Sequence, residues 1–99
     1  MGDKALEFHT DALAELKSAI SWYLERNETA ALRFADEIDG GIESIRSAPK
    51  RWPILELNAR RFLLKRFPFA IFYREKPSEI QVIAVAHGHR RPGYWRTRS

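Results

Sequence analysis

Residues 80–98 read IQVIAVAHGHRRPGYWRTR. Apolar side chains dominate from Ile80 to Ala86, so an extended chain would be apolar on both faces there. Such a strand lies inside a sheet and is covered on both sides. This character ends at His87, and the residues that follow, up to Arg98, are mostly polar, cationic or aromatic. We therefore predict a last strand whose end presents functional side chains on a rigid scaffold.

Two longer strands and one short strand are predicted immediately upstream. Residues 60–66 form a strand flanked by cations, residues 69–75 form the next strand, and residues 76–79 form the hairpin turn that leads to the last one. Residues 54–57 are a candidate for the short strand. Consecutive strands joined by short turns favour an antiparallel sheet.

Side chains of the last two strands are sorted onto two faces by the period-two alternation of a strand. One face of the earlier strand carries Phe69, Ile71 and Tyr73, and the other carries Ala70, Phe72 and Arg74. One face of the last strand carries Ile80, Val82, Ala84 and Ala86, and the other carries Ile83 and Val85. Because a helical layer covers only one face of a sheet, we predict an apolar groove on the second face. A partner chain fills it, or else a second copy or the protein's own tail does.

The N-terminal half is predicted to form a short strand and two helices. Leu6 and Phe8 alternate with polar residues, and apolar residues then recur at helical spacing over about residues 11–26 and again over 28–46. Gly41 falls on the buried stripe of the second helix, which indicates either close contact between the two helices or a kink. The predicted fold is α+β in the order β-α-α-β-β-β, with the N-terminal strand and the helical hairpin packed on one face of a small antiparallel sheet.

Length and composition limit the class of protein. Ninety-nine residues form one domain, taken as residues 1–99, with a modest core. No apolar run approaches the roughly 20 residues that span a bilayer, and the first residues lack the apolar segment of a secretory signal. The chain contains no cysteine, which fits a reducing compartment. We therefore predict a cytoplasmic protein with no membrane partner.

Charge is divided unevenly along the chain. Residues 1–45 contain 4 Lys/Arg and 10 Asp/Glu, a formal charge of −6, whereas residues 46–99 contain 13 Lys/Arg and 3 Asp/Glu, a formal charge of +10. A strongly basic segment attracts polyanions or an acidic protein segment. A basic surface that is merely solvated is the alternative.

No known catalytic or metal-binding motif is present in the sequence. No cysteine and no nearby carboxylate accompanies His87 and His89 to complete a set of metal ligands, so we predict neither a metal site nor a cofactor. What remains is a set of cationic and proton-exchanging side chains: Arg60, Arg61, Lys65, Arg66, His87, Arg90, Arg91 and Tyr94. This set suits metal-free RNA cleavage, and it suits a non-catalytic nucleic-acid or protein interface equally well. Tyr94 and Trp95 either clamp the tail onto the body or stack against a substrate.

Three segments give the chain a family resemblance. They are Arg61-Phe62, the F-P-x-x-I-x-Y pattern at 67–73, and the apolar strand that ends in H-x-x-R-x-P-x-x-W at 87–95. With the order of helices and strands, they resemble the RelE/ParE superfamily of type II toxin–antitoxin toxins, and the ParE-like subgroup is favoured. The resemblance implies a small bacterial toxin that a cognate antitoxin neutralises, in a complex that binds operator DNA through the antitoxin.

The resemblance implies two alternative targets. Toxins similar to RelE cut mRNA on the ribosome, and the residues here that match are Arg61, Lys65, His87, Arg90, Arg91 and Tyr94. Toxins similar to ParE inhibit DNA gyrase without catalysis. Because residues 53–59 lack the lysines of RelE-type enzymes, gyrase inhibition is favoured over ribosome-dependent, metal-independent mRNA cleavage. A non-toxic basic adaptor domain is a further alternative.

Two sets of contact residues follow from this interpretation. The target-binding set comprises Arg60, Arg61, Lys65, Arg66, His87, Arg90, Arg91, Tyr94 and Trp95. The antitoxin-binding set, on the second face of the sheet, comprises Phe72, Arg74, Ile83 and Val85.

Overall fold

The computed structural model describes residues 4–99, and its helices and strands follow the predicted order. The elements are β1 (Ala5–Phe8), α1 (Thr10–Arg26), α2 (Glu28–Ser47), β2 (Ile54–Glu56), β3 (Ala59–Leu63), β4 (Phe69–Glu75) and β5 (Glu79–His87). The α+β class, the helical hairpin and the short strand β2 are therefore confirmed. Within the described residues, no helix is both long and apolar enough to cross a membrane.

The five strands form one sheet in the order β1-β5-β4-β3-β2. Strands β2 to β5 are antiparallel, as predicted, but β1 pairs with β5 in parallel. The sheet is therefore mixed, and the prediction of a wholly antiparallel sheet is wrong at β1. A parallel neighbour requires a long crossover connection, and the helical hairpin with the strands behind it provides one.

Local capping explains where the helices begin and meet. The Nδ1 atom of His9 accepts a hydrogen bond from the backbone N–H of Asp11 at 3.0 Å, so α1 begins at Thr10. Asn27 ends α1 and begins α2, because its side-chain oxygen accepts from the backbone N–H of Ala30 at 3.1 Å. Asparagine is among the preferred residues at such a position, and the turn between the helices is therefore tight.

The main core lies between the helical hairpin and one face of the sheet. Phe34, Ile38 and Ile45 of α2 are buried there together with residues of β4 and β5. Tyr73 of β4 is fully buried, and its hydroxyl donates to the backbone oxygen of Pro49 at 2.7 Å. Burial raises the pKa of Tyr73 to about 12, so the phenol remains a donor.

Gly41 permits close contact between α2 and the sheet. A Cβ atom placed there would lie 2.8 Å from Cε1 of Phe62 and 3.2 Å from Cδ1 of Ile71. The prediction of a close contact between the two helices at Gly41 is therefore wrong, because the element that approaches α2 there is the sheet. Gly40, beside it, faces open space.

Alanine substitutions at the two glycines are expected to have opposite effects. Gly41→Ala should destabilise the protein by about 1–2 kcal/mol, because the overpacking penalty exceeds the gain in helix propensity. Gly40→Ala should stabilise it by about 0.5–1 kcal/mol, since no atom opposes the added methyl group. Urea unfolding of both variants measures the difference, and equal stabilisation by both would contradict the packing described.

A β-bulge in β5 changes which side chains face the helices. Tyr73 pairs with Val82, whereas the preceding Phe72 pairs with Ala84, so Ile83 is the extra residue. Beyond the bulge Val85 packs in the main core, while Ile83 and Ala84 lie in a second cluster on the opposite face. The predicted faces of the last strand are therefore correct up to Ile83 and wrong from Ala84 onwards, because strict alternation takes no account of an inserted residue.

Candidate functional site

The C-terminal tail, residues 88–99, folds back over the second face of the sheet. Trp95 is 2% exposed, and its ring packs 5.1 Å from that of Phe72. Ile83 is buried in the same cluster. The tail itself therefore covers this part of the second face, which was one of the predicted possibilities. The side chains of Trp95 and Ile83 are closed to a partner in this conformation.

Glu15 of α1 is the centre of the contacts that hold the tail. Its carboxylate accepts a hydrogen bond from the hydroxyl of Tyr94 at 2.8 Å and from both terminal nitrogens of Arg98, Nη1 at 3.0 Å and Nη2 at 2.9 Å. It also accepts from the backbone N–H of Val85 at 3.0 Å. The Glu15 side chain is only 15% exposed. One carboxylate thus connects the first helix, the last strand and the tail.

The end of β1 explains why β5 needs these contacts. Pairing between β1 and β5 stops at Phe8 and Val82, where the chain turns into α1. Past that point, no strand within residues 4–99 pairs with the outer edge of β5. Buried backbone groups without partners are costly. Arg98 donates to the backbone oxygen of Ile83 at 2.9 Å, and Glu15 accepts from the N–H of Val85, so two side chains take the place of the missing strand.

The charge state of this cluster follows from its contacts. Burial by itself raises the pKa of Glu15, but hydrogen bonds from Arg98, the Val85 N–H and Tyr94 outweigh it, and the pKa lies below the ordinary value of 4.5. Burial, together with the hydrogen bond to Glu15, raises the pKa of Tyr94. At neutral pH the carboxylate is therefore ionised, and the phenol is a hydrogen-bond donor.

Sequence inspection did not identify Glu15 as a functional residue. A signal for it exists, because Glu15 lies three residues after Ala12 and four before Ala19, the two buried residues of α1. An acid on the buried stripe of an amphipathic helix needs a partner. The sequence does not reveal that the partner is Arg98, 83 residues away.

Most of the predicted target-binding residues surround one cleft on the second face of the sheet. This tail-face cleft has a volume of about 220 Å³ and is bounded in part by the predicted residues Arg61, His87, Arg90, Arg91, Tyr94 and Trp95. Leu55, Leu63 and Phe72 also line it. Arg61 and Arg91 are exposed.

Three predicted target-binding residues lie outside the cleft. Arg60 points away from it, and its Nη1 atom donates to the backbone oxygen of Trp52 at 2.5 Å. Lys65 and Arg66 follow β3, and their backbone N–H groups donate to the carboxylate of Glu37 in α2. The geometry therefore divides the predicted cationic set into a cleft group and an outer group.

A larger groove, of about 590 Å³, lies between α1 and the outer edge of β5. Apolar and small side chains make up most of its lining, including Ala19, Trp22, Phe69 and Val85. Trp22 is 52% exposed although it is a large aromatic residue. We call this the helix-side groove. It is an open, mostly apolar surface on the helix side of the sheet, and His87 and the tail residue Arg90 line both this groove and the tail-face cleft.

A solved structure and a family model both match this chain. A solved structure described as the chromosomal ParDE TA system from P. aeruginosa matches with a TM-score of 0.75 and 22% sequence identity, over 85% of this chain and 95% of that one. At that identity the match shows the fold. No curated protein matches significantly. The family model for the ParE toxin of the type II toxin–antitoxin system parDE matches residues 6–92. Because this match spans most of the sequence, the chain belongs to the ParE toxin family.

Proposed function

We propose that this toxin inhibits DNA gyrase by binding it, through the cations of the tail-face cleft and the adjoining tail. The observation that carries the proposal is the state of Tyr94. The Tyr94 hydroxyl already donates a hydrogen bond to Glu15, and the pKa of Tyr94 is raised. The candidate proton-exchange group of the tail is therefore already hydrogen-bonded within the protein. Among the described residues, Arg61 and Arg91 form no ion pair, and such cations can contact an acidic protein surface.

Ribosome-dependent cleavage of mRNA is the second candidate function. The observation that favours it is the grouping of Arg61, His87, Arg91 and Tyr94 around one cleft. Cleavage of RNA without a metal requires a base, an acid and cations to stabilise the phosphate. These residue types are present, although Tyr94 would have to leave Glu15 to exchange a proton with RNA.

Induction of the toxin in bacterial cells separates these functions. Gyrase inhibition predicts that plasmids relax while transcripts remain intact by primer extension, and that Tyr94→Phe retains toxicity because the phenol is not used chemically. Codon-boundary cuts in mRNA with normally supercoiled plasmids would overturn the proposal. Unaffected growth after strong induction would favour the basic adaptor domain over either toxin activity.

We further propose that a cognate antitoxin neutralises the toxin by occupying the helix-side groove. Of the residues predicted to bind the antitoxin, Val85 lines this open groove. Phe72 and Ile83 lie against the tail, and Arg74 donates to the backbone oxygen of Arg98 at 3.0 Å. The structure therefore favours the helix-side groove over the second face of the sheet as the antitoxin site. Operator binding through the antitoxin is part of the same proposal.

Trp22→Ala is expected to weaken antitoxin binding by at least about tenfold, since a large apolar side chain in an interface contributes a kcal/mol or more. Leu24→Ala is the matched control, because Leu24 is also 52% exposed on α1 but does not line the groove. Isothermal titration of the purified toxin variants with the antitoxin measures both affinities. Equal losses from the two variants would contradict the proposed location.

A further inference from the structure

We propose that the tail-face cleft binds an acidic, apolar-containing protein segment of the target, and not a nucleic-acid strand. This inference rests on the proposed inhibition by binding, and it specifies the chemistry that the cleft recognises. Three features of the cleft carry it: an apolar floor, aromatic rings that are already covered, and two rim cations that form no ion pair with any described residue.

The floor of the cleft is an apolar trough across three strands. Leu63 of β3 pairs with Ala70 of β4, and Ala70 pairs with Ala86 of β5. The two alanines are small, so a depression forms beside Leu63, which is 59% exposed. Leu55 of β2, 45% exposed, borders the same trough. Exposed leucines next to small residues favour contact with apolar side chains of a partner.

The aromatic rings around the cleft are already in contact with other side chains. The guanidinium of Arg90 lies 3.8 Å from the ring centre of Tyr94, and that of Arg98 lies 5.0 Å from it. Trp95 is buried against Phe72. Binding of single-stranded nucleic acid depends on aromatic faces that are open to bases. The rings of Phe72, Tyr94 and Trp95 therefore offer little open surface on which a base could stack.

The two histidines near the cleft are similarly engaged. The rings of His87 and His89 are stacked, with their centres 4.9 Å apart. The rings of Phe69 and His87 meet edge-on, with their centres 5.1 Å apart. The Nδ1 atom of His87 accepts from the backbone N–H of His89 at 3.0 Å. The stacking closes the facing sides of the two imidazoles, so recognition at the cleft rests mainly on apolar contact and charge.

The cations at the rim select for carboxylates in the partner. Arg61 shares its face of β3 with Leu63, two residues away, and Arg91 stands across the cleft in the tail. Arg96, by contrast, is neutralised by Glu56, whose Oε2 atom lies 3.0 Å from its Nη2 atom. A segment that places carboxylates beside apolar side chains would satisfy the trough and the rim together.

An NMR titration tests this chemistry without requiring the target. Wild-type toxin with labelled leucine methyl groups would receive a short peptide of Leu and Glu, the same peptide with Lys in place of Glu, or oligouridine. We expect only the Glu peptide to shift the Leu55 and Leu63 signals, with Leu32, 63% exposed on α2, as an unaffected internal control. Arg61→Glu should weaken this binding about tenfold.

Oligouridine that shifts the Leu55 and Leu63 signals more strongly than the Glu peptide would overturn the inference in favour of a nucleic-acid site. Equal binding of the Lys peptide would overturn it as well, because charge would then play no part.

A supercoiling assay keeps the two proposals distinct. If the Glu peptide binds but gyrase is not inhibited, the proposed function fails and the cleft chemistry stands. If the Glu peptide does not bind the wild-type toxin, and the Leu63→Asp variant still inhibits gyrase as strongly as wild type, the inference fails.

Discussion

Trp95→Ala is expected to destabilise the protein by about 3–5 kcal/mol and to reduce toxicity sharply. Trp95 is 2% exposed and packs against Phe72, Ala59 and Ile83, so its removal leaves a cavity between the tail and the sheet. The second face of the sheet would then be exposed, and the cations of the tail would lose their fixed positions. Urea unfolding measures the loss of stability, and a growth assay measures the loss of toxicity.

Trp22→Ala is the control for this prediction, because it removes the same side chain from a position that is 52% exposed. We expect that variant to change the free energy of unfolding by less than about 1 kcal/mol. A Trp95→Ala protein as stable as wild type would show that the tail is not packed on the sheet, and the tail-face cleft would then lack its wall.

Glu15→Ala is expected to lower the free energy of unfolding by about 2–3 kcal/mol. The substitution leaves the guanidinium of Arg98, the hydroxyl of Tyr94 and the N–H of Val85 without their common acceptor. Glu25→Ala is the matched control, since Glu25 lies on the same helix with a side chain 76% exposed. Its effect should stay within about 0.5 kcal/mol.

A double-mutant cycle with Arg98→Ala assigns the loss to the ion pair. The coupling between Glu15 and Arg98 is expected to be about 1–3 kcal/mol, because the two groups are in direct contact and mostly shielded from water. Additive effects of the two substitutions would contradict the account of Glu15 as the residue that holds the tail.

The contribution of Glu15 should also depend on pH. The pKa of Glu15 is lowered in the folded protein, so the stability it contributes is fully present above its ordinary pKa of 4.5 and is lost as the pH falls through the folded value. The difference in stability between wild type and Glu15→Ala should therefore be large at pH 7 and should shrink below pH 4.5. Urea unfolding of both proteins across this range measures it. A constant difference would contradict the ionised hydrogen-bonded carboxylate.

Local patterns in the sequence predicted the parts of the fold that depend on neighbouring residues. The alternation of Phe69, Ile71 and Tyr73 identified the core face of β4 correctly, because side-chain direction in a regular strand depends only on position. The same rule of alternation failed at Val85 in β5, because the bulge at Ile83 adds a residue that the local sequence pattern does not reveal. The parallel pairing of β1 was missed for a similar reason, since strand order depends on the whole chain.

The site was predicted only in part for the same physical reason. The cationic stretch after His87 was recognised from the sequence, and the structure gathers much of it around one cleft. The sequence could not show that Tyr94 and Arg98 turn back to Glu15, because these contacts span 79 and 83 residues. Burial of Trp95 likewise depends on the path of the tail across the sheet.

Inhibition of purified gyrase tests the central claim of binding through the cleft most directly. The predicted result is that wild-type toxin blocks supercoiling of relaxed plasmid, that Arg61→Glu and Arg91→Glu each weaken the inhibition about tenfold, and that Arg66→Glu, an exposed cation outside the cleft, does not. Undiminished supercoiling in the presence of excess folded wild-type toxin would contradict the claim.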